Sequence, residues 1–149
     1  MVEENTDLKN HVSRVLLETP FAILCTVSED GKPFARWMSP IFATGNLKEV
    51  HTLAAPSSRK VAHIKKNPSV SWVFNTPSFD EVIILRGKAV LEQDAFVRAQ
   101  IWEAMPDKQR TFILENDENL TFQVIRTFVE TVEYLKPRAG QTVPLILIP

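Results

Sequence analysis

The alternation of apolar and polar positions predicts a chain of short strands with helices at three places along it. An apolar stripe at helical spacing, formed by Leu8, Val12, Val15 and Leu16, indicates a first helix that ends before Pro20. Period-two alternation then predicts six strands. They cover about residues 21–27, 33–42, 49–54, 69–74 and 81–91, and the second half of 122–135.

Turn and cap residues mark the boundaries of these elements. Asp30-Gly31 and Thr44-Gly45-Asn46 are turn sequences, so the first three strands are expected to form an antiparallel meander. A short helix is expected over residues 58–66. Further helices are expected after Asp94, which is a typical cap, and after Pro106, which suits a first helical turn.

Six mostly antiparallel strands with flanking helices predict a mainly β fold, in the form of a small closed or partly closed barrel. Gly87 lies inside the fifth expected strand and is expected to mark a bulge. Residues 1–149 are expected to form one domain, because no linker, repeat or low-complexity tract interrupts the chain. Periodicity alone leaves an open α+β sheet as the alternative.

Composition and charge narrow the class of protein. The chain has 17 Lys and Arg against 18 Asp and Glu, a net charge of −1, so no general attraction to nucleic acid or an anionic membrane is expected. Cys25 is the only cysteine, which excludes an intrachain disulfide and fits a reducing compartment. No signal peptide is recognisable and no apolar run approaches the ~20 residues of a membrane span, so a cytoplasmic protein is expected.

Two groups of residues suggest an anion site. Arg36 lies in the second expected strand, and Ser58-Arg59-Lys60 opens the short helix after the third strand. Unpaired backbone N–H groups and the helix dipole favour an anion at a helix start, while Arg adds a bidentate fork and Lys a point charge. A phosphate is therefore the expected ligand. The alternative is a serine-capped helix with solvated cations and an exposed strand arginine.

Other chemistry-bearing residues form no recognisable site. His11, His51 and His63 have no metal-ligand spacing among themselves or with Cys25, so no metal site is expected. The acidic residues at 115, 117 and 118 fit a solvated loop better than a general acid–base pair. With four glycines in the chain, no glycine-rich phosphate loop or dinucleotide fingerprint is present, and no catalytic residue is assigned.

The order of these motifs resembles the pyridoxamine 5′-phosphate oxidase-like superfamily, and most of all its general stress protein branch. The motifs are Gly31-Lys32-Pro33-Phe34-Ala35-Arg36-Trp37-Met38, then Ser58-Arg59-Lys60, then Asn67-Pro68-Ser69-Val70-Ser71. The resemblance covers roughly residues 21–91 and, more loosely, the strand that ends at Tyr134-Leu135.

The resemblance implies a six-stranded antiparallel split β-barrel that forms a homodimer and binds FMN at the dimer interface. Two groups of residues are implied in cofactor binding. The group at the ribityl phosphate is Arg36, Ser58, Arg59 and Lys60. The group along the isoalloxazine ring is the backbone of Trp37 and Met38 on the second strand, with Leu53 and Ala54 at the end of the third.

Three departures separate this chain from the oxidases of the superfamily. Ile41 stands where they have a lysine, Val82 where they have a flavin-contacting glutamine, and residues 136–149 lack their C-terminal Arg/His substrate motif. These departures argue against true pyridoxamine 5′-phosphate oxidase activity.

The function expected from the resemblance is an FMN-binding flavoprotein, an oxidoreductase of the general stress protein type whose small-molecule substrate the sequence does not identify. The alternatives are a deazaflavin-dependent reductase and a non-catalytic flavin-binding stress protein. A heme-binding protein is a more remote alternative.

Overall fold

The computed structural model describes residues 2–45, 47–117 and 119–149, which form helices, strands and one short 3-10 turn. The helices are α1 (Val2–Glu18), α2 (Arg59–Lys66), α3 (Ala95–Ala104) and α4 (Asp107–Asn116), and the 3-10 turn is Pro137–Ala139. The strands are β1 (Ala22–Val27), β2 (Pro33–Met38), β3 (Glu49–Ala54), β4 (Ser69–Asn75), β5 (Val82–Glu92), β6 (Gln123–Leu135) and β7 (Leu145–Leu147). None of the helices described has the length and apolar character needed to cross a membrane. Asn46 of the predicted turn and Glu118 of the predicted acidic loop lie outside the described residues.

The strands form one antiparallel sheet in the order β2-β1-β4-β5-β6-β3, and β7 also pairs with β6. The mainly β architecture with flanking helices is therefore confirmed, but the sheet has seven strands rather than six and does not close. β3 and β7 share one edge of β6, because β6 is long enough to pair with β3 at its start and with β7 at its end.

The predicted meander of the first three strands is wrong in its second half. β1 and β2 form the expected hairpin, whereas β3 pairs with β6. The segment after β2 meets β3 at a bridge in which Ile41 N–H donates to His51 O at 2.7 Å and His51 N–H donates to Ile41 O at 2.8 Å. β2 ends at Met38 rather than near residue 42, since Pro40 has no N–H to continue a ladder.

Two strands near the C-terminus also differ from the prediction. β6 spans the whole of Gln123–Leu135 rather than only the second half of 122–135, because β3, β5 and β7 all pair with it. The apolar–polar pattern predicts no strand at β7, because its three residues are too few to show a period. This strand attaches part of the apolar C-terminal segment to the sheet.

The sheet and helices enclose one large apolar core, and a smaller core lies where α3 meets the start of β6. The apolar stripe predicted for α1 is confirmed, since Val12, Val15 and Leu16 are buried in the large core. Trp72 of β4 is fully buried there, and its Nε1 donates to Thr127 Oγ1 at 3.1 Å. The large core holds β1 and α2 together, and these elements carry part of the candidate site.

The bulge predicted at Gly87 is confirmed. The pairing register of β5 with β6 shifts between Arg86 and Gly87. A Cβ at Gly87 would overlap the carbonyl oxygen of Phe128. Glycine is therefore required here by the close approach of two backbones.

Candidate functional site

Three cations meet where the β1–β2 hairpin lies beside the start of α2. Side chains of β2 alternate between an exposed and a half-buried face, and Arg36 lies on the half-buried face with Phe34. α2 packs against β1, which places Arg59 and Lys60 near that face. The charges of these residues act on one another. The charge of Arg36 contributes to lowering the pKa of Lys60, and the charge of Arg59 contributes to lowering the pKa of Arg36.

Arg36 is held in place by the hairpin itself. Its Nη1 donates to the carbonyl oxygen of Leu24 at 3.1 Å and to Thr26 Oγ1 at 2.7 Å. Thr26 is fully buried, and its hydroxyl also lies 2.8 Å from Nδ1 of His63 on α2. A hydrogen-bonded chain from Arg36 through Thr26 to His63 therefore links β2, β1 and α2.

An aromatic contact links the same elements a second time. The ring of Phe34 lies 4.8 Å from the His63 ring, centroid to centroid, and the Arg59 guanidinium carbon lies 5.1 Å from the Phe34 centroid. Cation–π contact of this kind stabilises an exposed cation by about 0.5–1 kcal/mol. Arg59 is thus oriented by Phe34 rather than left free in solvent.

The pKa shifts show how strongly positive charge is concentrated here. Burial lowers the pKa of Arg36, and the charge of Arg59 adds to that effect. Burial likewise lowers the pKa of Lys60, with a further contribution from Arg36. Burial and a neighbouring arginine thus both disfavour the charges of Arg36 and Lys60, and an anion placed beside them would relieve that repulsion.

Ser58 adds an unsatisfied hydroxyl to this charged region. It occupies the N-cap position of α2, yet its side chain makes no capping hydrogen bond to the helix. Its Oγ is buried and finds no hydrogen-bond partner among the described residues. A buried hydroxyl without a partner costs roughly 1–3 kcal/mol, which a phosphate oxygen bound at this helix start would offset. The residues predicted for a phosphate therefore fit one.

The residues predicted along the flavin ring do not meet in one cavity of the single chain. Trp37 is 61% exposed on the opposite face of β2 from Arg36 and borders a cavity of about 470 Å³ with Phe21. Met38 packs against the large core. Leu53 and Ala54 border a different cavity, of about 310 Å³, next to α4. The structure thus brings together the four residues predicted for a phosphate. The residues predicted along the ring border two different cavities or, in the case of Met38 and Ala54, pack in the large core.

Sequence reasoning missed Thr26, Phe34 and His63 as members of the site. His63 follows Arg59 by four residues, which is the spacing of neighbours on one helix face, so that signal was available. Phe34 precedes Arg36 by two residues on one strand face, which is a second available signal. Thr26 has no local signal, because its role depends on pairing opposite Phe34 in the hairpin.

The two positions that depart from the oxidases carry apolar side chains with structural roles. Ile41 is 4% exposed and packs with Ile101, Met105 and Val124 in the smaller core. Val82 begins β5 and pairs with neighbouring strands on both sides. Neither side chain can donate or accept a hydrogen bond. Among the described residues no three His, Cys, Asp or Glu side chains come together as a metal-binding group.

The family of the chain follows from a match to the pyridoxamine 5′-phosphate oxidase profile over residues 8–136. The chain belongs to this family. General stress protein 26 from Bacillus anthracis is similar in structure, with a TM-score of 0.73, 18% identity and coverage of 95% of this chain and 98% of that one. This similarity confirms a split-barrel fold of the pyridoxamine phosphate oxidase type.

Two further solved structures are similar to this chain, and their names mention different cofactors, FMN in one and heme in the other. An FMN-binding, pyridoxamine 5′-phosphate oxidase-related protein from Nostoc punctiforme has a TM-score of 0.65 and 15% identity, covering 95% of this chain and 86% of that one. The heme storage protein from Vibrio cholerae has a TM-score of 0.68 and 18% identity, covering 83% of this chain and 90% of that one. At these identities the similarity defines the fold alone. No curated protein matches the sequence significantly.

Proposed function

We propose that this protein is an FMN-binding flavoprotein, and that it acts as an oxidoreductase of the general stress protein type on a small molecule. The observation that carries the proposal is the convergence of Arg36, Arg59 and Lys60 beside the unpartnered Ser58 hydroxyl. Membership of the pyridoxamine 5′-phosphate oxidase family and an FMN-binding structural relative support flavin as the ligand.

Each residue of the site has a distinct task in holding the ribityl phosphate. Arg36 presents a guanidinium already fixed by the hairpin, so little side-chain entropy is lost on binding. Arg59 and Lys60 add charge at the helix start, where backbone N–H groups also favour an anion. The Ser58 hydroxyl would donate to a phosphate oxygen. Bound FMN would supply hydride or electron transfer, which protein side chains cannot.

In our proposal, this flavoprotein acts on a different substrate from that of the pyridoxamine 5′-phosphate oxidases. Ile41 and Val82 remove two polar contacts that the oxidases have, and residues 136–149 lack the substrate motif. The same two positions favour a second candidate, in which the site binds a deazaflavin or a weakly held flavin without turnover. Both candidates share the phosphate site, so they differ in the ring that is bound or in its affinity and turnover, and not in the phosphate contacts.

We further propose that the protein is a homodimer with the flavin site at the interface. The ring residues Trp37 and Leu53 lie apart in one chain, and a second chain would be needed to complete a ring pocket around either of them. Trp37 is 61% exposed, which is unusual for a tryptophan of a lone chain.

The proposal is tested by titrating the purified protein with FMN and following its visible absorption and fluorescence. The double variant Arg59→Ala with Lys60→Ala removes two charge-assisted contacts of roughly 1.5–3 kcal/mol each, so FMN binding is expected to weaken by about two or more orders of magnitude. The matched control is Lys65→Ala with Lys66→Ala, which removes two exposed cations from the far end of the same helix.

Saturation at one FMN per chain, lost in the Arg59 and Lys60 variant and kept in the control, supports the proposed site. Equal affinity in both double variants would show that the phosphate lies elsewhere. Wild-type protein that binds an added deazaflavin but no FMN would move the proposal to the second candidate.

A further inference from the structure

We propose that His63 gains a proton when a phosphate group binds beside Arg36 and Arg59, so that the affinity of this site for phosphate rises as the solution becomes more acidic. The inference rests on the phosphate site of the proposed function and adds its regulation by pH. His63 is a positioning residue in this scheme, since it acts on the anion through Thr26 and through charge.

The geometry allows His63 to change its protonation state without leaving its place. A guanidinium can only donate hydrogen bonds, so Thr26 Oγ1 accepts from Arg36. The Thr26 hydroxyl can then donate its own hydrogen to Nδ1 of the neutral His63 imidazole, 2.8 Å away. When Nδ1 carries a proton, it donates to Thr26 instead, because a hydroxyl oxygen can accept from both Arg36 and His63. Thr26 therefore stays bonded to both Arg36 and His63 in either state.

The charges around His63 determine which state it adopts. Burial lowers the pKa of His63, which is 9% exposed, and the positive charges of Arg36 and Arg59 lower it further, while Asp30 in the β1–β2 turn opposes them. Lys60 faces Arg36 and adds to the positive region. These are the charged groups that β1, β2 and α2 bring to the site.

A charged residue of β5, the other strand against α2, is engaged elsewhere. Lys88 Nζ donates to Ser69 Oγ at 2.7 Å. Arg36 and Arg59 are the positive charges that act on His63, and they are the same two arginines that are proposed to bind the anion.

A bound phosphate dianion reverses this field. Its negative charge offsets Arg36 and Arg59, so the imidazolium form of His63 becomes more favourable and the pKa of His63 rises. Between the free and the bound pKa of His63, binding takes up a proton and the affinity increases as pH falls. The dissociation constant is expected to fall about tenfold for each unit by which the anion raises the pKa of His63.

The first test follows the imidazole resonances of the three histidines by NMR between about pH 5 and pH 8, without ligand and with saturating FMN or inorganic phosphate. The pKa of His63 is expected to rise by about one unit or more with either anion. His51 beside Glu49 serves as the internal control, because it lies in another charge cluster and its pKa is expected to stay the same when the anion binds.

The second test compares FMN affinity in wild-type protein and in His63→Asn. The asparagine side chain places an amide near the position of Nδ1, so it can still bond to Thr26 but cannot titrate. Measurements span the free and bound pKa values of His63 found in the first test. Any protonation of the FMN phosphate, whose second pKa is about 6, affects both proteins equally, so the difference between them reports on His63. The wild-type protein is expected to bind more tightly as pH falls through this range, and His63→Asn is expected to lose that increase.

The outcomes separate the inference from the function on which it rests. FMN binding with the same pH dependence in both proteins, or an unchanged pKa of His63 in the bound state, overturns the inference and leaves the flavoprotein proposal standing. Failure of FMN to bind at any pH overturns the proposed function, and the inorganic phosphate titration of His63 then decides the inference on its own.

Discussion

At Gly87 the backbones of β5 and β6 approach more closely than a side chain would allow. An added Cβ would overlap the Phe128 carbonyl oxygen and come within 3.1 Å of the Val129 Cα, and both obstacles are backbone atoms that cannot turn aside. Gly31 differs, because its φ of +84° lies in the left-handed region but nothing surrounds the site of a Cβ. The two glycines are therefore required for different physical reasons, one steric and one conformational.

We expect Gly87→Ala to destabilise the protein by about 3 kcal/mol, because overpacking against fixed backbone forces the β5–β6 bulge apart. Gly31→Ala is the matched control, with an expected cost of about 1–2 kcal/mol from its positive φ alone. Urea unfolding followed by circular dichroism measures both free energies. Equal losses in the two variants would show that the bulge yields easily.

The residues of the proposed phosphate site show which contacts a sequence can and cannot predict. Arg36, Arg59 and Lys60 were available from charge, helix position and resemblance, and the fold brings them together. Thr26 became part of the site only through the hairpin register, which places it opposite Phe34 and within reach of the Arg36 side chain. Hydrogen bonds that join residues on three different elements produce no periodic pattern in the sequence.

At the scale of elements, α1 is attached to the sheet by a half-buried carboxylate. Glu81, just before β5, accepts a hydrogen bond from Tyr134 Oη of β6 at 2.5 Å and another from His11 of α1. Burial acts to raise the pKa of Glu81, but these two hydrogen bonds outweigh it and hold the pKa below the usual value. The ionised carboxylate therefore contributes stability to the docked helix.

We expect Glu81→Gln to lower the free energy of unfolding by about 2 kcal/mol at neutral pH, because hydrogen bonds to a charged acceptor are lost. The depressed pKa makes this contribution present above the unfolded-state value of about 4.3 and lost as pH falls through the folded-state value. The difference between variant and wild type should therefore shrink on acidification. Unfolding curves at neutral and acidic pH measure it.

The exposed Glu115→Gln is the control for this experiment and should have little effect at either pH. A Glu81→Gln penalty that stays constant as the pH falls would mean that packing, and not ionisation, holds α1.

Strand partners illustrate the limit of sequence reasoning for elements. Local signals gave the bounds of β3 correctly, since Glu49–Ala54 is the span that alternation predicts. The same signals predict the wrong partner strand for β3, β2 instead of β6. A turn sequence between two strands shows that the chain reverses direction, but it does not show that the two strands pair. β3 pairs with β6, about 70 residues further along the chain. This pairing depends on which side chains are buried together, and a short stretch of sequence does not contain that information.

At the scale of the whole molecule, the register aligns one continuous row of side chains across six strands. Trp37 lies opposite Ile23, and the row continues through Val73, Ile84 and Glu133 to Ile146. Its two end members are the most exposed, with Trp37 at 61% and Ile146 at 63%. We infer that a second copy of the chain covers this mostly apolar row, in keeping with the proposed homodimer.

We expect Trp37→Glu to shift the protein from dimer to monomer, because a carboxylate would be buried without a partner in that contact. Phe96→Glu is the matched control, since Phe96 of α3 is 77% exposed and lies outside the row. Sedimentation equilibrium over a range of concentrations measures the mass of each. A wild type that is monomeric, or a Trp37→Glu protein that stays dimeric while Phe96→Glu dissociates, contradicts this placement of the interface.

FMN titration of the same variants then connects the assembly to the site. Arg36 and Trp37 are adjacent on β2 but point to opposite faces, so Trp37→Glu leaves the phosphate residues of its own chain in place. If the ring pocket is completed by the partner, the monomeric variant should bind FMN far more weakly although Arg36, Arg59 and Lys60 are intact. Undiminished affinity in the monomer would instead place the whole flavin site within one chain and separate dimerisation from cofactor binding.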